Sequence, residues 1–99
     1  MDRKQQRRLE GQERQRLAAL RRPLEQRLTE VETELDQARA RMQALDAIIA
    51  DPALYSDARR SERQAVMAEQ GELAKRVNEM EEIWLDVQES LEGLSSSSA

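Results

Sequence analysis

The sequence predicts an all-α protein, a two-helix antiparallel coiled-coil hairpin. Three observations carry that expectation. Charged residues make up 36% of the 99-residue chain and aromatic residues 2%, a balance that suits long helices better than a globular core. Apolar residues recur at alternating three- and four-residue spacings through two long stretches. Between the stretches lies Asp51-Pro52-Ala53-Leu54-Tyr55-Ser56-Asp57, where Pro52 lacks an amide donor and biases Asp51 away from helical backbone.

The N-terminal segment is the basic part of the chain. Residues 1–22 hold eight bases (Arg3, Lys4, Arg7, Arg8, Arg14, Arg16, Arg21, Arg22) against three acids (Asp2, Glu10, Glu13). The rest holds eight bases against seventeen acids, so the net charge of −4 averages a basic arm with an acidic body. Arg7, Arg14 and Arg21 occupy a positions of the heptad and Glu10 a d position. With a polar seam and no second helix to pair with, residues 1–16 are expected to project past the hairpin as a basic arm, helical or frayed.

The first hairpin helix is expected over residues 17–50, roughly 50 Å long at ~1.5 Å per residue. Leu17, Leu24, Val31, Ala38 and Leu45 form its d line, and Leu28, Leu35, Met42 and Ile49 its a line. It should stop near Ala50, ahead of Pro52. Ser56 or Asp57 can cap the second helix, with Ser61 and Gln64 as an alternative capping box. In that helix Gln70, Val77, Trp84 and Leu91 occupy a, and Val66, Leu73, Met80, Val87 and Leu94 occupy d. Gly93 is expected to stop it, and residues 95–99 to form a disordered Ser-rich tail. The domain reading is thus an arm over 1–16, a hairpin over 17–94 with its turn at 51–57, and the tail.

A turn centred on Leu54 sets an expected register. Leu17 then faces Leu91, Leu24 faces Trp84, Leu28 faces Met80, Val31 faces Val77, Leu35 faces Leu73, and Met42 faces Val66. Gln70 lies against Ala38 as a register-setting polar layer, and Trp84 is a core residue. At the edges Glu34 meets Arg76 and Arg41 meets Glu69, both of opposite sign. One conflict remains, Glu25 opposite Glu81, and near the tip Leu45 faces Arg63. Leu54 and Tyr55 should fold over that end and cover Leu45, Ile48 and Ile49. The seam closes within one chain, which implies a monomeric hairpin; Pro52 opposes the straight helix that swapping two chains would need.

Function classes narrow quickly. The chain has no His and no Cys, which removes disulfides, imidazole or thiolate metal sites, and catalysis by either side chain. Gly11, Gly71 and Gly93 stand alone, so there is no phosphate-binding loop. A thin rod offers no pocket to desolvate an acid or base, and no catalytic residue, metal or cofactor is expected. No apolar run approaches the ~20 residues of a membrane span. The expectation is a soluble intracellular chain without a membrane partner. Its eight bases Arg3, Lys4, Arg7, Arg8, Arg14, Arg16, Arg21 and Arg22 suit non-specific contact with DNA or RNA phosphates. The alternative is a spacer or protein-docking coiled coil, with Leu54 and Tyr55 as a tip contact.

The Arg/Gln-rich lead-in, the Asp51-Pro52-Ala53-Leu54-Tyr55 turn and the Met80-Glu81-Glu82-Ile83-Trp84-Leu85 element together resemble one known domain. It is the C-terminal coiled-coil domain of ABC-F ATP-binding cassette proteins, of the Uup and YheS type, matched over residues 5–94. The resemblance implies a cytoplasmic parent protein with two ATPase cassettes, which bind ATP and Mg and act on ribosomes. It also implies a hairpin that binds DNA or ribosomal RNA. The ATP-binding residues of that family have no counterpart in this chain, so ATP hydrolysis is not implied for it.

Overall fold

The first helix begins where an acidic side chain can satisfy a free amide. In the computed structural model, which describes residues 2–97, Asp2 is extended and its carboxylate accepts the Gln5 N–H at 2.8 Å. That is one of the partners the first helical amides otherwise lack. Helix α1 then runs unbroken from Arg3 to Ala50. The segment 3–16 is therefore helical and continuous with the hairpin helix.

Helix α1 also passes through Pro23, which the heptad pattern does not register. A proline inside a helix removes one hydrogen bond and crowds the preceding turn, at a cost of about 3 kcal/mol. Leu17 on one side of it and Val31 on the other are both buried. Packing against the second helix thus grips α1 on both sides of the proline and holds the helix through it.

At Asp51 the backbone turns extended, and Pro52 opens a 3-10 turn over Pro52–Tyr55. The Asp51 carboxylate accepts the Ala53 N–H at 3.0 Å, and its carbonyl accepts the Leu54 N–H at 3.1 Å. A second 3-10 turn, Asp57–Arg59, leads into helix α2, Arg60–Ser97. Ser56 precedes that turn without making a side-chain cap. The turn carbonyls are satisfied from elsewhere. The Arg63 guanidinium donates to the Leu54 carbonyl at 2.9 Å and the Ser56 carbonyl at 3.3 Å. The Tyr55 hydroxyl donates to the Ile49 carbonyl at 2.8 Å, closing the end of α1. Leu54 is fully buried beneath this network.

The two helices pack antiparallel into a rod of 82 × 16 × 14 Å. Helix α2 does not stop at Gly93. No glycine takes the left-handed backbone that ends helices, and Leu94 beyond it is still half-buried. The helix carries on through Ser95 to Ser97, where the sequence suggested an irregular tail; Ser98 and Ala99 lie outside the described residues.

The register is displaced by one heptad from a Leu54-centred hairpin. Val31, Leu35 and Met80 form a buried cluster, with Val77, Ile83 and Trp84 packed against it. Trp84 therefore sits by Val31 and Leu35 rather than Leu24, and Met80 by Leu35 rather than Leu28. The polar residues explain the displacement. Glu81 now meets Arg39 at 2.8 Å in place of Glu25. The Gln70 amide donates to Asp46 at 3.0 Å rather than lying against Ala38. Arg63 leaves the seam to serve the turn. The edge pairs Glu34–Arg76 (3.0 Å) and Arg41–Glu69 (2.8 Å) form as expected. They fit both registers, because an edge residue borders two facing residues one heptad apart.

Candidate nucleic-acid interface

Helical geometry sorts the eight bases of the arm. At 3.6 residues per turn, Arg3, Lys4, Arg7, Arg8, Arg14, Arg21 and Arg22 fall within one sector roughly 140° wide. Arg16 lies on the other side. Its guanidinium makes a forked bond to Glu13, at 2.9 Å from Nε and 2.6 Å from Nη2. That hydrogen bond holds the Glu13 carboxyl below its ordinary range and raises Arg16. Among the described residues the other seven have no acid within ion-pair distance. Six of them are exposed and Arg21 is half-buried. From Arg3 to Arg22 the stripe is about 28 Å long.

This arrangement suits a polyanion. Guanidinium groups fork onto phosphate oxygens, and a straight row of unpaired cations follows a phosphate backbone by charge alone. The arm carries no aromatic residue, so it offers no stacking surface for bases. The a line of the seam, apolar at Leu28 and Leu35, becomes Arg21, Arg14 and Arg7. The apolar a line of the seam thus gives way to a charged stripe toward the N-terminal end of α1.

The tip residues are not brought to the arm. Tyr55 lies at the opposite end of the rod, roughly 65 Å from Arg7 along α1. The residue is 52% exposed, with the Arg63 guanidinium 5.9 Å from the ring centroid. Leu54, at 0% exposure, is not available as a tip contact, because it fills the end of the core instead. Tyr55 alone is presented.

Sequence periodicity misses one further surface. Leu35, Trp84 and Leu85 floor a shallow groove of about 450 Å³, rimmed by Glu32, Asp36 and the Arg39–Glu81 pair. Leu85 is 54% exposed there. A heptad reading places Trp84 on the seam and Leu85 outside it, and has no means of seeing that the two form one floor.

By fold the protein is an elongated two-helix antiparallel hairpin. Among the described residues no helix is long and apolar enough to cross a membrane. No protein-family model, no curated protein and no solved structure matches the chain.

Proposed function

We propose that this chain is a non-catalytic nucleic-acid-binding module, the C-terminal coiled-coil domain of an ABC-F type ATP-binding protein. The basic stripe of α1 contacts DNA or ribosomal RNA, and the rod positions the parent protein's cassettes, which supply ATP and Mg chemistry in the cytoplasm. The observation that carries this reading is the row of seven bases on one flank of α1 that have no acid within ion-pair distance among the described residues. The Asp51–Tyr55 turn and the Glu81-Glu82-Ile83-Trp84 element support the family. Binding is electrostatic, without sequence preference, and made by a single hairpin. A second reading, a spacer or protein-docking coiled coil with no nucleic-acid binding, is favoured by the exposed Tyr55 at the tip.

A mobility-shift titration over a range of salt concentrations tests the proposal. The probes are a DNA duplex and a ribosomal RNA fragment. Affinity for duplex falls with salt at a log–log slope of about −0.9 per phosphate neutralised. Replacing Arg7, Arg14 and Arg21 by Gln reduces that slope by ~2–3 and weakens binding to every sequence alike. Equal binding by the two proteins removes the arm's role, and absence of binding by both leaves the docking reading.

A further inference from the structure

One flank of α1 changes sign along its length. Glu25, Glu32 and Asp36 fall within the same angular sector as Lys4, Arg7 and Arg14 nearer the N-terminus. All six are exposed. None of the three carboxylates is in an ion pair among the described residues; Glu32 accepts the Trp84 indole N–H at 3.3 Å. Beside them lies the groove floored by Trp84 and the exposed Leu85. The other flank is self-neutralised, by Glu34–Arg76 and Arg41–Glu69. These six positive and negative charges of α1 therefore share one flank, with their centres about 34 Å apart along the helix.

The arm cannot turn back onto this acidic stretch, because α1 is one continuous helix through both. A second copy can reach it. We propose that two hairpins pair side by side and antiparallel through this flank, the basic arm of each lying on the acidic, apolar-floored groove of the other. The patch is self-complementary. Reversing one rod places plus on minus at both ends of the contact, and a twofold axis closes the pair so that no filament propagates. Pairing covers Leu85 and the open edge of Trp84. Each hairpin keeps its own core, so this is not a helix-swapped dimer. The arm is occupied in the pair, so nucleic acid and the second copy compete for it. The pairing itself follows from the charge pattern alone and does not depend on nucleic-acid binding.

Sedimentation of the full chain at about 20 mM and about 300 mM salt is the first test, since the screening length falls from ~20 Å to ~6 Å between them. The expected result is a two-chain species at low salt that separates at high salt. Two charge-reversal variants follow, Arg7→Glu with Arg14→Glu, and Glu25→Lys with Asp36→Lys. Each alone stays single, because the facing positions 4, 7 and 14 of the arm and 25, 32 and 36 of the groove then carry net charge of the same sign; the two mixed together form the pair again. Unchanged helical circular dichroism shows that each variant is folded. The proposal is overturned by a single-chain wild type at both salts, by pairing that survives in either variant, or by a mixture that does not associate. The Glu25→Lys, Asp36→Lys variant keeps its arm. Loss of pairing with nucleic-acid binding retained therefore separates this proposal from the function above.

Discussion

The Trp84 indole N–H donates to a Glu32 carboxylate oxygen at 3.3 Å, tying an a position of α2 to an e position of α1. Two heptads nearer the turn the same relationship recurs, where the Gln70 amide donates to Asp46 at 3.0 Å. Two equivalent bonds spaced equally on both helices define one register over that span. Alternation of apolar residues alone does not, because sliding by one heptad still places apolar on apolar.

Register is therefore testable through charge. A double-mutant cycle of Arg39→Ala with Glu81→Ala gives a favourable coupling of ~0.5 kcal/mol in urea unfolding. The cycle of Glu25→Ala with Glu81→Ala gives none, because the two do not meet. The same experiments weigh Trp84. Trp84→Ala costs about 2–4 kcal/mol, at or below the usual range for a large aromatic because the side chain is half-buried. Trp84→Phe costs much less, since the indole bond to Glu32 is solvent-accessible and water replaces it. A coupling between Glu25 and Glu81 as large as that of Arg39 and Glu81 would rule this register out.

What was legible in the sequence follows from which forces act locally. The hairpin was legible because two apolar lines flank Asp51-Pro52, where the missing donor and the bias of Asp51 toward extended backbone end α1; at Pro23 the apolar line continues on both sides and the helix runs on. Leu54 covering the tip was legible because only the turn can close that end. The register was not, since it is decided by reach: Arg39, Gln70 and Trp84 are long enough to choose among partners, and periodicity carries no lengths. Gly93 does not stop α2, because a glycine ends a helix when it adopts left-handed backbone, and with Leu94 half-buried beside it Gly93 stays helical. The eight bases were visible as a cluster. That Arg16 belongs to Glu13 and the others to a single stripe appears only once the arm is known to be helical.

Arg63 is expected to matter more than a lone charge at an a position of the seam suggests. Its Nη1 serves two turn carbonyls, of Leu54 and Ser56. Arg63→Ala leaves the partly buried Leu54 carbonyl without that donor and costs about 1.5–3 kcal/mol, read as a lower urea midpoint with unchanged slope. Tyr55→Phe removes the bond to the Ile49 carbonyl at an exposed site, where water substitutes, and costs ~0.5 kcal/mol. If both variants unfold at the wild-type midpoint, the tip network does not stabilise the turn.

Pro23 sits between the arm and the rest of the hairpin seam. Its ring removes the amide that would bond the Ala19 carbonyl, and α1 is nonetheless continuous across it, held by Leu17 and Val31. Replacing it by Ala restores that bond and removes the ring's crowding of the preceding turn. Pro23→Ala should therefore stabilise the hairpin by ~1–3 kcal/mol. At ~4–8 °C per kcal/mol for a chain of this size, the gain is visible in thermal unfolding. Native-state hydrogen exchange locates it. Amides over residues 14–22 should slow relative to wild type, while those over residues 77–84 slow only as far as global stability rises. The proline would then be a weak point that lets the basic arm open without unzipping the seam. Uniform slowing over the whole chain would instead show that arm and hairpin unfold as a single unit, and no slowing anywhere would show that the helix has already absorbed the proline.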